Sequence, residues 1–211
     1  TLALVTLALI MSVPIGILTA LYLTEIKGKF TAPIRFLVQA MSGVPSIVAG
    51  LFILSAILYP ITKSFSGFMG ALALTILMIP TIARTSEEVL NLIPNDLREA
   101  GVALGGTQWR TVAMIVLPAA KSGLITAVIL GVARIAGETA PLLLLTGGGD
   151  KVNANAFSGP LGSLPYYIWK SFNAGSPEAL TRAWAGLLVL VGLVLVLFTV
   201  ARYLGSKKSS K

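Results

Sequence analysis

Histidine and cysteine are both absent from the 211 residues. Their absence excludes serine–histidine and cysteine nucleophiles, disulfides, and zinc or iron–sulfur sites built on those ligands. Carboxylates are scarce too, with eight Asp and Glu residues in the whole chain, so there is little acid–base chemistry to draw on and no catalytic set. Charged residues amount to only 11%, against about a quarter in a typical soluble domain. No GxxxxGK[ST] phosphate loop occurs: the nearest string, residues 101–107, lacks the lysine, and the glycines at 147–149 sit in no strand-to-helix pattern. What remains is 55% hydrophobic with a mean hydropathy of +0.88, the composition of a chain dissolved in a bilayer. The net charge of +8 therefore bears on membrane topology rather than on nucleic acid.

A spanning helix needs about 20 mostly apolar residues. Four charge-free runs reach that length: residues 1–24, 36–62, 64–83 and 183–201. A fifth span, from Leu117 to about Leu145, is apolar except for Lys121 near one end and Arg134 and Glu138 in its middle. The reading is an all-α polytopic bundle of five spans forming one transmembrane domain over residues 1–211. Its first run lacks a basic leader and a cleavage site, so it is no signal peptide, and its opening at Thr1 predicts a further N-terminal helix. Pro14, Gly16, Pro45 and Pro80 fall inside spans, where neighbouring helices can satisfy the freed backbone groups.

Cations collect on alternate connections. Lys27, Lys29, Arg35, Arg84, Arg98, Arg110, Lys121, Arg202, Lys207, Lys208 and Lys211 share one side, against Lys63, Lys151, Lys170 and Arg182 on the other. The positive-inside rule makes the first side cytoplasmic, with the basic tail inside and in reach of membrane lipids. An external loop at 146–180 is rich in Gly, Ser, Asn and Pro, and carries Tyr166, Tyr167, Trp169 and Phe172. Those aromatics suit a short interfacial helix or a ligand-binding lid.

The cytoplasmic stretch PNDLREAGVALGGTQWRTVAMIVLP opens on helix-start signals: Pro94, Asn95 and Asp96 as caps, and Glu99 in the first turn. Paired Gly105 and Gly106 form its stop. Leu97, Ala100 and Leu104 share one face, which fits either another protein's groove or the chain's own helices. Glu99-Ala100-Gly101, then Gly105, then Ile115, Leu117 and Pro118, match in spacing the cytoplasmic loop of ABC-importer permeases, whose pattern is EAA, three residues, G, nine residues, I, one residue, L. The chain thus resembles that family. The resemblance implies a type I importer fold and makes residues 95–108 a coupling helix for a cytoplasmic ATPase, with Glu99, Ala100, Gly101, Leu104 and Gly105 at the contact. Gly101 stands where the family pattern has alanine, a small-for-small change expected to keep the groove contact and loosen the helix by about 1 kcal/mol.

Arginine and glutamate near a bilayer centre each cost about 2.5–3.5 kcal/mol on insertion scales, so Arg134 and Glu138 mark a use. They lie four residues apart, hence on one helix face, sharing a stripe with Gly123, Ala127 and Gly131. Two readings stand: an internal salt bridge, or an anion pathway. In the pathway, Arg134 offers planar donors while Glu138 accepts only from a ligand that still carries a proton, as phosphate does at neutral pH and sulfate does not. Pro141 should end or bend the helix just beyond.

The run Ala133-Arg134-Ile135-Ala136-Gly137-Glu138-Thr139-Ala140-Pro141-Leu142-Leu143 is similar to the ARAxGETAPLL segment of the phosphate-specific importer permeases, the PstA family. Pro80, Arg84, Glu87 and Glu88 are similar to that family's P-x-x-x-R-x-x-E-E segment. The resemblance implies inorganic phosphate as substrate and Arg134, Glu138, Thr139 and Arg84 along its path; a snorkelling topology cation is the other reading of Arg84. It implies as partners a homologous permease (PstC), an ATPase dimer (PstB) that uses the ATP and magnesium, and a phosphate-binding protein (PstS). It places the chain in a bacterial or archaeal cytoplasmic (inner) membrane. A permease for sulfate or molybdate and a passive channel are the alternatives.

Overall fold

The computed structural model describes residues 1–26, 28–148, 153 and 155–207. The topology cations Lys27, Lys151, Lys208 and Lys211, and positions 149–152 and 154 of the external loop, lie outside the described residues. Among the described residues the elements are helical: α1 Leu2–Glu25, α2 Thr31–Ser42, α3 Ser46–Thr62, α4 Gly67–Asn91, α5 Asn95–Ala103, α6 Gln108–Ala136, α7 Ala140–Leu145, α8 Leu164–Asn173 and α9 Pro177–Lys207. α3 finishes in π-type turns at Leu54–Thr62, and α6 contains such turns at Val112–Val116.

α4 is the hub, with 67% of its most apolar stretch buried against 11% for α9. Lipid tails are as apolar as leucine, so helices cohere in a membrane through close packing, and small residues permit it. α1 presents Leu4, Ala8, Ser12, Gly16 and Ala20 at intervals of four, a ridge slim enough to seat on α4. At its middle a Cβ on Gly16 would lie 2.8 Å from Ile82 Cγ2, so the α1 backbone rests directly on the Ile82 side chain and no larger residue fits there. Across α4, Gly131 of α6 sits equally close to Met78 and Ile82, which confirms the small-residue stripe as a packing face. Ser12 would be an orphan polar group in this seam but donates to its own Ala8 carbonyl at 2.6 Å.

Four spans are unbroken, and the fifth is counted only as a bent pair. The expected run 36–62 is two helices, α2 and α3, meeting at 105°. Pro45 starts α3 and pushes Val44 out of the helical region, and Gly43 ends α2. α4 outruns its apolar stretch. It continues past residue 83 to Asn91, keeping Ser86 and Leu90 buried and pairing Glu87 with Arg35 of α2, at 2.9 Å (Nε) and 2.7 Å (Nη2). The aromatic segment of the external loop does form a helix, α8, capped by Ser163. It packs against α9, with Phe172 and Trp184 edge to face at 5.6 Å.

Candidate functional site

α6 stops at Ala136, not at Pro141. Proline lacks an N–H, and its ring collides with the carbonyl four residues back, which here belongs to Gly137. The helix therefore ends at that carbonyl, and the freed Gly137 oxygen accepts a long hydrogen bond from Thr139 Oγ1 at 3.4 Å. Pro141 then occupies the first turn of α7, where no donor is missed. α3 closes on this restart: a Cβ on Gly50 would lie 2.8 Å from Pro141 Cα, so α3 and the start of α7 touch backbone to backbone.

The break overturns one expectation. Glu138 lies beyond the end of α6, so it is not a helix-face neighbour of Arg134, and no ion pair joins the two among the described residues. Arg134 instead donates to Thr81 Oγ1 on α4 at 3.3 Å. Thr81 carried no signal of its own in the sequence beyond its place between Pro80 and Arg84. Arg84 lies one turn along α4 from Thr81, hence on the same face. It is not at the helix end, since α4 runs seven residues further, about 10 Å. Arg35 and Arg98 have carboxylate partners; Arg84 and Arg134, both exposed, have none among the described residues. The structure thus brings together Arg134, Thr81 and the Arg84 face of α4 beside a backbone break that carries half-buried Glu138 and Thr139. Two guanidinium groups without carboxylate partners among the described residues have the donor chemistry that an oxyanion requires.

The second cluster lies at the far end of α4. α5 forms where expected, but Pro94 holds the cap position and Asn95 and Asp96 lie inside the first turn, so neither caps it. Glu99 lies beyond that first turn. Gly105, at φ +82°, ends the helix in a Schellman closure: its N–H bonds the Val102 carbonyl at 2.9 Å, and the Gly106 N–H bonds that of Gly101 at 3.1 Å. Leu97, Glu99, Ala100 and Leu104 are exposed, Leu104 to 88%. Gly101 is not: it is buried, and a Cβ there would fall 2.5 Å from Thr111 Cγ2 and 2.8 Å from Ile115 Cδ1. The expectation that Gly101 faces a partner's groove is corrected, because it seats α5 on α6 instead. Gly101→Ala should therefore cost about 1–3 kcal/mol through overpacking, despite alanine's better helix propensity, read as a lower Tm of the purified protein.

Open grooves flank α5. One of about 690 Å³ is lined by Glu25, Arg98, Glu99, Val102 and Gln108 among others, and one of about 450 Å³ by Leu104, Gly105, Arg110 and Met114 among others. The sequence had shown Arg98 only as a topology cation; its partner Glu25 is 73 residues away.

Comparison with known proteins bears on the chain as a whole. A family profile described as "binding-protein-dependent transport system inner membrane component" matches residues 12–210. The phosphate transport system permease protein PstA of Mycobacterium leprae is 41% identical over 207 residues, covering 96% of this chain and 68% of its own length. PstA of Pasteurella multocida is 40% identical, covering 97% and 73%, and PstA 1 of Mycobacterium tuberculosis is 39% identical, covering 89% and only 62%. The chain thus spans about two thirds of the length of these relatives. Among solved structures, the inward-facing MetNI methionine ABC transporter superposes with a TM-score of 0.69 at 20% identity, over 98% of this chain and 88% of that one. A bacterial ABC transporter that imports the acidic polysaccharide alginate gives 0.72 at 16% identity, over 98% and 76%. These two likenesses speak for the fold alone.

Proposed function

The chain belongs to the family of binding-protein-dependent transport system inner membrane components, and from that membership we propose that it is the permease subunit of an ATP-driven importer that moves inorganic phosphate into the cytoplasm. It is a multi-pass membrane protein of an ABC transporter. The observation that carries the substrate is the break in α6, which leaves Arg134 bonded to a neutral threonine rather than to Glu138. The names of the relatives support the same anion.

In this reading phosphate passes between α4 and the α6 break. Arg134 and Arg84 offer donors to its oxygens, and Thr81 and Thr139 supply hydroxyls. Glu138 accepts from a protonated oxygen and repels an anion that has no proton to give. Closure of the ATPase dimer moves α5, and the bundle rocks between outward and inward openings. The partners are a homologous permease (PstC), the ATPase dimer (PstB) and a phosphate-binding protein (PstS). ATP and magnesium belong to the ATPase, and this chain supplies no catalytic group and holds no cofactor. The excess of cations on the α5 side supports a cytoplasmic α5 and a cytoplasmic C-terminus.

The test is ATP-dependent uptake of labelled phosphate into proteoliposomes holding the full-length protein and its partners, with excess sulfate as competitor. Uptake that needs ATP and ignores sulfate is expected. Flux without ATP would support a passive channel, and uptake blocked by sulfate would remove the proton-reading role of Glu138. Glu138→Gln should admit sulfate as a competitor, narrowing the phosphate preference about tenfold or more, the equivalent of one charge-assisted hydrogen bond. An unchanged preference would show that Glu138 does not read the ligand's proton.

A further inference from the structure

The geometry points to Arg98 and Glu25 as the positioning pair that makes α5 move as one piece with the ends of α1 and α4, so that displacement of α5 reaches the bundle instead of being spent on its linkers. The inference rests on the reading of α5 as the ATPase-coupling helix.

Arg98 projects from α5 with nearly all its donor capacity engaged. Nε and Nη2 reach Glu25 Oε1 at the end of α1, at 3.1 and 3.0 Å. Nη2 also donates to the Leu90 carbonyl of α4 at 3.0 Å, and Nη1 donates to the Ile93 carbonyl just past α4 at 2.7 Å and to Asn95 Oδ1 at 3.4 Å. The last carbonyls of a helix carry partial negative charge, so a cation is well placed there. Gln108, which opens α6, donates from Nε2 to the Glu25 backbone carbonyl at 2.9 Å. One side chain on α5 is thereby tied to α1 and α4, and its glutamate partner is tied to α6.

Burial makes the tie strong. The Glu25 side chain is 6% exposed and that of Arg98 21%, so losing either partner strands a charge away from water. Among the described residues, the other restraints on α5 are the linkers at residues 92–94 and 104–107 and its packing on α6 at the seat of Gly101 on Thr111 and Ile115. With Arg98 gone, a push on the exposed face would turn α5 about that single seat. Arg35–Glu87, the other ion pair among the described residues, joins α2 to α4 and leaves α5 untouched.

The experiment measures ATP hydrolysis and labelled-phosphate uptake in the same proteoliposomes, holding the full-length permease with its partner permease, ATPase and binding protein. Arg98→Ala, Glu25→Ala and the double variant are compared with the parent, alongside retention of the ATPase on the purified complex. Uptake per ATP should fall about tenfold in each single variant, within the range usual for coupling between sites. The double variant should be no worse than either single, because both remove one link. Arg98→Lys should recover part of the ratio, since it keeps the charge and loses the fork. A purely structural pair would lower yield, hydrolysis and uptake together with an unchanged ratio, and that result would overturn the inference. If the alanine variants fail to assemble, Arg98→Lys and Glu25→Gln carry the same ratio test. Parent complexes whose uptake ignores ATP would sink the coupling reading itself, and this inference with it, before any variant is compared.

Discussion

Arg134→Ala is expected to lower ATP-driven phosphate uptake about a hundredfold, the loss of two charge-assisted hydrogen bonds. The expectation follows from what Arg134 does not touch. A guanidinium paired with a carboxylate would be neutralised, and its removal would report on fold stability as much as on transport. Here the one partner among the described residues is Thr81 Oγ1, at a long 3.3 Å, and the side chain is exposed. Alanine leaves one hydroxyl without a weak bond and no buried charge, so the bundle should keep its Tm. Arg134→Lys should recover uptake only in part, since a point charge replaces a planar fork. Uptake assays at saturating and limiting phosphate would separate binding from turnover. Uptake unaltered in the alanine variant would remove Arg134 from the pathway.

The second large effect belongs to Leu104. At 88% exposure it contributes almost nothing to this chain's own packing, yet a leucine left in water beside the α5 terminus has a use if another surface covers it. Leu104→Asp should therefore leave Tm unchanged while reducing ATPase capture on the purified permease at least about tenfold, as loss of an interface anchor does. The contrast with Gly101→Ala is diagnostic. That change acts inside the chain, so it should lower Tm first and ATPase capture only as a consequence. An ATPase retained at full occupancy by the Leu104→Asp variant would move the docking surface elsewhere.

Patterns that act over a few residues were legible before the structure. Charge-free length marked the spans, and paired glycines marked the stop of α5, where Gly105 takes the left-handed conformation a larger residue resists. Spacings of four marked the packing stripe of α6. The equivalent ridge on α1 passed unnoticed, because its small residues are as apolar as the rest of that helix and no polarity contrast outlines them. The helix stop at Ala136 was within reach of the sequence: a proline acts on the carbonyl four residues before it, and counting back from Pro141 lands on Gly137. What no spacing could supply is the pairing of groups far apart in the chain, such as Glu25 with Arg98 or Thr81 with Arg134. The inward orientation of Gly101 was hidden for the same reason, because a short helix with small residues on several sides does not declare which one is covered.

The hub position of α4 bears on how far apart the two clusters are in practice. Its Leu90 carbonyl is held by Arg98, and its Thr81 hydroxyl is held by Arg134. Between them lie eight residues of one uninterrupted helix, nine steps or about 13 Å, without a proline or glycine to absorb a displacement. In the proposed reading, input and output are two stations on a single rod. A movement entering at Leu90 arrives at Thr81 as translation or rotation of a rigid segment, and no relay of rearranging side chains is required to carry it.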